Sequence, residues 1–261
     1  MNSRVSLLKI MNKEEIKGKL KSSEYDFLRT NEKLKDNVVL LVVAGSHGYG
    51  LNTEESDLDI RGISMGTLDS ILGLESFDIF EDKNTDTVIY SMKRFVELAM
   101  KGAPNVLEIL FSSPENIMYC DEKVGKMLLD NRDMFLSKRI YYSFKGYAKN
   151  ALKDAEKRLE TNPKKADKYA MHYIRLCLEV TALLNGNGLT GVLKNNRDML
   201  MWIRNGSMRH GDKFTEEFYE SVGDFEDLLE KAYQNSLLPD TVDVKKVSGL
   251  LVKMNKEILK R

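Results

Sequence analysis

The chain has 261 residues, of which 42% are hydrophobic and 31% charged, and its formal net charge is +0. This length and composition exclude a disordered protein and allow one large or two modest globular domains. A neutral chain is not drawn as a whole to nucleic acid or membrane, so any such attraction must come from a local patch.

The two cysteines, Cys120 and Cys177, do not lie at the spacing of a zinc ligand set or a CxxC motif. Two isolated thiols, with no apolar signal-peptide core near residue 1, predict a protein of the reducing cytoplasm. The longest apolar run, 38–44, is far too short to cross a bilayer, so we predict no membrane segment.

The first third of the chain predicts one helix and then strands. Residues 13–30 are polar with scattered apolar positions, as in a solvated helix. The β-branched run 38–44 predicts a strand buried on both faces. Residues 56–65, SDLDIRGISM, alternate with period two, which predicts a half-buried strand. The stretches LESFDIFED and DTVIYSM, which flank the polar turn at Lys83-Asn84, predict a hairpin.

From Lys93 onward the hydrophobic period becomes helical. One helix is predicted to end at Gly102, and a short one begins at Pro104. After residue 138 we predict helices only, interrupted at 162–163, 186–188 and 239. The chain therefore divides into an α/β half, residues 1–137, and a helical half, residues 138–261.

The turn GSHGYG directly follows the predicted buried strand. It lacks the lysine of a Walker A loop and the glycine spacing of a dinucleotide fingerprint. Its position after a strand nevertheless suits anion binding, with close approach at Gly45, a hydroxyl donor at Ser46 and the backbone through His47. A glycine-rich turn with a purely structural role is the alternative.

Asp57 and Asp59 lie two residues apart on the predicted strand 56–65, so both carboxylates point to one face. Neighbouring like charges repel, and a divalent cation between them would remove that repulsion. Mg²⁺ suits such a pair because it takes one or two carboxylates together with waters and substrate phosphates. Two solvated carboxylates are the alternative, which the phosphate-friendly turn eleven residues upstream makes less favourable.

An apolar strand, then Gly45-Ser46, then Asp57-Leu58-Asp59, resembles the polymerase-β-like nucleotidyltransferase superfamily. Together with DTVIYSMKRFVELAMKGAPNVLEIL and KYAMHYIRLCLEVTALLNGNG, the pattern is similar to a branch of predicted bacterial and phage nucleotidyltransferases linked to RNA repair. The resemblance implies an α+β fold, with a mixed-sheet catalytic domain followed by an all-helical domain. It also implies an enzyme of bacterial or phage-infected cytoplasm.

The resemblance further implies transfer from an NTP such as ATP, with two Mg²⁺ ions, or Mn²⁺ in their place, held by three carboxylates. The third carboxylate is predicted to be Asp86, with Asp78 as the alternative. Arg61 shares the predicted face of the aspartates, so it either touches phosphate or pairs with a carboxylate.

Lys168, His172 and Arg175 are spaced to share one helix face. Alone, such a stripe is more often solvated, but the resemblance places these three residues against nucleotide phosphates or acceptor. Glu108 also falls on the family pattern, and it either holds an active-site arginine or faces water.

The acceptor is predicted to be an RNA end, for instance of a tRNA. Residues 139–198 hold 12 Lys and Arg against 6 Asp and Glu, which gives a physical reason for this choice. A solvated helix pair would also explain the excess. AMP transfer to a protein or a small molecule, and a non-catalytic nucleotide-binding module, stay open as alternatives. The residues do not indicate an oligomeric state.

Overall fold

The computed structural model describes residues 11–53, 56–75 and 77–260. It shows an α+β protein with a mixed sheet of five strands and a helical region after residue 138. Helices α1 to α13 lie at Lys13–Leu20, Phe27–Thr30, Gly45–Gly48, Leu68–Leu72, Met92–Met100, Pro104–Leu110, Val124–Asp130, Arg139–Arg158, Pro163–Leu184, Leu189–Asn195, Arg197–Arg204, Glu216–Asn235 and Val244–Ile258. Strands β1 to β7 lie at Val38–Val43, Ile60–Ser64, Ile79–Asp82, Thr87–Ser91, Ile117–Cys120, Arg209–His210 and Lys213–Phe214.

The sheet has the strand order β3-β4-β2-β1-β5. Strand β1 is antiparallel to both β2 and β5, and β3 and β4 form the predicted antiparallel hairpin. Strands β2 and β4 are parallel, with Ile60 opposite Thr87. Because one pair is parallel and the others are antiparallel, the ends of β1, β2 and β4 can meet at one edge.

Every residue of β1 is buried, which confirms the strand predicted to have two covered faces. One face of β1 packs through Val42 into a core shared with the helices, which also contains Ile63 of β2. The other face of β1 packs through Leu41 into a smaller core under α1 and the segment that follows it, which also contains Ile89 of β4. Strand β1 therefore lies inside the sheet, between β2 and β5, and both of its faces are covered.

Several predicted elements differ from those observed. The helix predicted over 13–30 breaks after α1 into a 3-10 turn, Ser23–Tyr25, and the one-turn α2. The strand predicted from residue 56 begins only at Ile60, so Asp57 and Asp59 precede it. Strand β5 was not predicted. The expectation of helices only after residue 138 is wrong, because β6 and β7 form a small hairpin there.

The helix boundaries predicted from glycine and proline are confirmed. Helix α5 ends just before Gly102, whose φ of +72° is the left-handed conformation that ends helices. Helix α6 begins with Pro104 at its first turn, and α9 begins with Pro163 behind the Asn162 cap. These positions are set by local backbone chemistry, which the sequence displays directly.

The larger core runs through both halves of the chain. It contains Ile63 and Phe95 from the first half and Ile174 and Leu183 from the second, all fully or almost fully buried. Helix α8 begins one residue after Lys138, close to the boundary predicted at residues 137 and 138. That boundary separates the part of the chain that forms the five-stranded sheet from the mainly helical part, but it does not divide the core.

Because the sheet and the helical half share one core, a destabilising substitution in the sheet should also lower the stability of the helical half. We expect Ile63→Ala to lower the free energy of unfolding by about 2–5 kcal/mol. Trp202, the single tryptophan, lies on α11. Urea denaturation followed by its fluorescence should shift together with the far-UV circular dichroism transition. Val252→Ala, at an exposed position of α13, is the control and should change stability by less than about 0.5 kcal/mol. A Trp202 transition that does not move with the circular dichroism signal would contradict the shared core.

Candidate active site

The carboxyl end of β1 and the amino ends of β2 and β4 meet at one edge of the sheet. The residues just outside these ends are Gly45, Asp59 and Asp86. Two backbone hydrogen bonds extend the sheet to them: the Ala44 N–H donates to the Asp59 carbonyl at 2.9 Å, and the Ile60 N–H donates to the Asp86 carbonyl at 3.2 Å. Strand pairing therefore brings together side chains that are far apart in sequence.

Gly45 is required by its contact with Asp59. It has a φ of +57°, and a Cβ atom on it would lie 1.9 Å from Oδ2 of Asp59. Both the backbone conformation and the space are therefore closed to other residues. The sequence suggested that this glycine lets a phosphate approach; the structure shows that it lets a carboxylate lie against the turn.

Arg61 bridges two of the aspartates. Its Nη2 donates to Oδ1 of Asp59 and to Oδ1 of Asp86, each at 3.1 Å. This is the carboxylate-pairing role, one of the two that the sequence left open. Burial raises the pKa of Asp59, Arg61 opposes that rise, and the Asp86 carboxylate adds to it. The positive charge of Arg61 thus favours the ionised form of Asp59 beside a second carboxylate.

Asp57, Asp59 and Asp86 line one cavity of about 480 Å³, which we call the carboxylate cavity. Gly45 and Ser46 contribute to the same wall, and helix α9 forms the opposite wall. The basic side chains that line this cavity are Lys165, Lys168, His172, Arg175 and Arg204. The structure thus gathers most of the site residues expected from the sequence, on two facing walls of opposite charge.

The alternative third carboxylate lies elsewhere. Asp78 is exposed, pairs with Arg94 at 3.8 Å, and lines a different cavity. Across residues 11–53, 56–75 and 77–260, no three His, Cys, Asp or Glu side chains are arranged so that they hold a metal ion together. Asp59 and Asp86 form a close pair through Arg61, while Asp57 is exposed at the cavity wall.

Arg175 is the centre of a buried polar cluster. Its Nη1 donates to Oε1 of Glu108 at 2.8 Å and to Oε1 of Glu179, and its guanidinium carbon lies 3.9 Å from the ring centroid of Tyr49. The Tyr49 hydroxyl in turn donates to Oε2 of Glu108. Glu108 therefore holds an arginine rather than facing water. Arg175 directs its Nη donors to protein groups, including His172.

The ring of His172 has a defined protonation state. Arg175 Nη2 lies 2.8 Å from His172 Nδ1, and since a guanidinium can only donate, Nδ1 must accept. Burial, together with the charges of Arg175 and Lys168, lowers the pKa of His172 to about 3. The imidazole is therefore neutral with its proton on Nε2, a donor fixed in the wall of the carboxylate cavity.

His47 does not join its neighbours. Its side chain lines a second cavity on the other side of the 44–50 turn, and its Nε2 lies 3.2 Å from the Ser56 carbonyl. Sequence reasoning missed Tyr49, Glu179 and Lys165. Glu179 stands inside the apolar run LCLEVTALL, four residues after Arg175, and that isolated charge in a buried helix was the available signal.

The similarity of this chain to known proteins identifies its family. Residues 13–253 match a family model described as RlaP, the RNA repair pathway DNA polymerase beta family. The chain belongs to this family. RlaP proteins are nucleotidyltransferases of the polymerase β type, as the strand-turn-carboxylate pattern predicted. Among the described helices, none is long and apolar enough to cross a membrane.

A phage protein is similar to part of the chain. It is an uncharacterized 38.9 kDa protein from the nrdC-mobD intergenic region of Enterobacteria phage T4, 33% identical over 117 residues. The match covers 40% of this chain and 34% of the phage protein. The chain therefore spans about a third of that relative, and the likeness carries no activity from it.

Replacing Gly45 should destabilise the protein more than replacing Gly50, which also has a positive φ but has free space around it. Gly50 has a φ of +69°, and no described atom lies within 4 Å of the point where a Cβ would stand, whereas a Cβ on Gly45 would clash with Asp59. We expect Gly50→Ala to cost about 1 kcal/mol of stability and Gly45→Ala about 2 kcal/mol more, measured by urea denaturation. Equal losses for the two variants would show that Asp59 does not pack against the turn.

The protonation state of His172 can be tested by NMR. Because its pKa lies at about 3, its ring nitrogens should keep the neutral Nε2–H pattern from pH 7.5 down to about pH 4.5. The signals are assigned by their loss in His172→Gln. Titration of this ring near its ordinary pKa of about 6.5 would contradict the buried contact with Arg175.

Proposed function

We propose that the protein is a metal-dependent nucleotidyltransferase that moves a nucleoside monophosphate from an NTP to the end of an RNA strand. The observation that carries this proposal is the meeting of Gly45, Asp59 and Asp86 at one sheet edge, opposite a basic helix wall. Membership of an RNA repair family makes nucleotidyl transfer the chemistry to test first.

The residues fit Mg²⁺ in the donor atoms they offer. Asp57, Asp59 and Asp86 present only hard carboxylate oxygens, and Asp59 and Asp86 lie close enough to share the Arg61 guanidinium. A preformed three-residue cluster is not required, because Mg²⁺ keeps several waters and binds one or two carboxylates plus substrate phosphates. When bound, Mg²⁺, or Mn²⁺ in its place, would neutralise charge on the attacking and leaving oxygens.

The helix wall would hold the triphosphate. Lys165 and Lys168 are exposed cations on α9 that line the cavity, and Arg204 lines it from α11. His172 offers its Nε2–H without adding charge. Ser46 supplies a hydroxyl from the sheet side. Such fixed donors favour an in-line arrangement of the phosphates before reaction begins.

The bond changes follow from nucleotidyl transfer itself. The acceptor hydroxyl oxygen bonds to the α-phosphorus, the bond from that phosphorus to the bridging oxygen breaks, and pyrophosphate leaves. The hydroxyl proton must go to a nearby base. Asp86 suits this role because its side chain is 52% exposed at the cavity edge, whereas Asp59 is 20% exposed.

RNA is favoured as acceptor by the charge of the helical region. The excess of cations in residues 139–198, 12 against 6 anions, includes Lys165 and Lys168 at the cavity itself. A protein or a small-molecule acceptor would need no such surface. Labelled NTPs offered with RNA, protein and small-molecule acceptors would separate these alternatives.

We expect Asp59→Asn to lower transfer of labelled NMP to RNA by at least about a hundredfold, because it removes a carboxylate from the metal pair. Chelation with EDTA should have the same effect on the wild-type protein. Asp78→Asn is the matched control and should retain activity, since Asp78 lies outside the cavity. Full activity in Asp59→Asn, or equal losses in the two variants, would refute the proposed site.

A further inference from the structure

A second cavity, of about 270 Å³, lies on the other side of the turn that carries Gly45 and Ser46. We call it the Glu179 cavity. Consecutive residues of the one-turn helix α3 face opposite ways: Ser46 lines the carboxylate cavity and His47 the Glu179 cavity, while Tyr49 contributes to both. The Arg175 cluster lies between them. The Glu179 cavity is thus a separate space adjoining the proposed reaction centre.

The wall of this cavity includes a buried carboxyl group with an unused oxygen. The side chain of Glu179 is 0% exposed, and its Oε1 accepts from Arg175. Its Oε2 is buried and has no hydrogen-bond partner among the described residues. Leaving such an atom unpaired is costly, so a buried polar group of this kind indicates a missing partner.

The balance of charges in the Arg175 cluster indicates whether Oε2 of Glu179 carries a proton. The cluster has one guanidinium, Arg175, for two carboxyl groups, Glu108 and Glu179. Both oxygens of Glu108 accept hydrogen bonds, from Arg175 and from Tyr49. Burial raises the pKa of Glu179 to about 8; Arg175 opposes that rise and Glu108 adds to it. A hydrogen bond between the Glu108 and Glu179 carboxyl groups also raises this pKa, so burial and Glu108 together favour the protonated form of Glu179. Since Oε1 accepts from Arg175, a proton on Oε2 has no partner among the described residues and can be donated to a ligand.

The rest of the lining limits the class of ligand. Apolar side chains form much of the wall, among them Val43, Phe111, Leu189 and Leu193. Two exposed cations, Lys194 and Arg197, lie at its opening. A flat ring with a nitrogen or carbonyl acceptor would fit between apolar walls and reach Glu179. An anionic group on the same ligand would reach the two cations.

We propose that the Glu179 cavity binds a nucleotide, with its base against Glu179 and its phosphate at Lys194 and Arg197. Its role as the pocket for the acceptor nucleotide, next to the NTP in the carboxylate cavity, rests on the proposed transferase function. The nucleotide can be the end of an RNA strand or a free nucleotide. Both sources share the chemistry of a base and a phosphate, and they are separated by experiment.

Binding is tested with the full chain and each of the four nucleoside monophosphates, in EDTA, by isothermal titration calorimetry. We expect at least one to bind, and the double variant Lys194→Glu, Arg197→Glu to weaken it by about tenfold or more. The matched control is Lys149→Glu, Lys153→Glu, which reverses two exposed charges on α8 outside both cavities and should leave binding within about twofold.

Loss of binding in Lys165→Glu, Lys168→Glu, with the Lys194 and Arg197 pair unaffected, would place the nucleotide in the carboxylate cavity instead and overturn the proposal. A loss in the control pair alone, or no binding by any monophosphate at millimolar concentration, overturns the proposal.

Glu179 is tested by two replacements. Glu179→Gln keeps an acceptor for Arg175 and a donor for the ligand, so binding should stay within about threefold of wild type. Glu179→Leu removes the donor and should weaken binding by about tenfold. Thermal melting checks that both variants fold, and the surface pair Lys194→Glu, Arg197→Glu decides the matter if Glu179→Leu does not. Equal affinities for the Gln and Leu variants would overturn the assigned role of Glu179.

The two sources, and the two proposals, give different results. A short RNA that displaces the bound monophosphate at lower concentration than the free nucleotide indicates a strand end, and the reverse indicates a free nucleotide. If the wild-type protein transfers no labelled nucleotide to any acceptor while its monophosphate binding still depends on Lys194 and Arg197, the transferase proposal fails and the binding proposal stands. If transfer to RNA is unchanged in the Lys194→Glu, Arg197→Glu variant, the acceptor role fails.

Discussion

The guanidinium of Arg175 joins the two halves of the molecule. It extends from α9 to Glu108 on α6 and to the ring of Tyr49 beyond the α3 turn, and its partner Glu179 lies one helical turn further along α9. A buried charge is tolerated only when it is paired, and removing one partner costs about 3–5 kcal/mol. Such a cluster is weak evidence for net stability. The contacts of Arg175 with Glu108 and Tyr49 instead fix the position of helix α9, and with it the basic wall of the cavity, relative to the sheet edge.

The sheet edge depends on a different constraint, the parallel pairing of β2 and β4 within an otherwise antiparallel sheet. Parallel neighbours begin at the same edge, so Asp59 and Asp86 arrive together although 26 residues separate them. The antiparallel β1 ends at that edge and delivers Gly45. If β4 ran the other way, its amino end and Asp86 would lie at the far edge of the sheet.

Local chemistry explains which features the sequence could predict. The apolar run of β1, the hairpin of β3 and β4, and the helix ends at Gly102, Pro104 and Pro163 depend on neighbours within a few residues. The position of Asp59 relative to the strand was harder to predict. The alternation of polar and apolar residues begins at residue 56, whereas strand pairing begins only at Ile60. The strand β5 and the small β6–β7 hairpin depend on long-range pairing or very short segments, and no period marks them.

The candidate site shows the same division. The glycine turn and the paired aspartates could be found because their spacing is short and unusual for a sheet. The sequence marks Glu179 only as an isolated charge in an apolar run and does not mark Tyr49, because the roles of both residues exist only once α9 packs beside the turn and α6. The separation of Ser46 from His47 is also tertiary: one turn of helix directs adjacent side chains to different sides.

The turn between the two cavities is held by several independent bonds, which bears on how the site can work. Gly48 N–H donates to the Ala44 carbonyl, Leu51 N–H donates to the Ser46 carbonyl at 2.8 Å, and Asn116 Nδ2 donates to the Gly48 carbonyl at 2.6 Å. A turn fixed at this many points does not need to be ordered by a substrate. The entropic cost of ordering the donors around the phosphates then arises during folding and not on substrate binding. More of the binding energy is therefore available to orient the reacting atoms. The same rigidity holds Asp59 against Gly45, so the position of the carboxylate pair is set by the backbone rather than by the ligand.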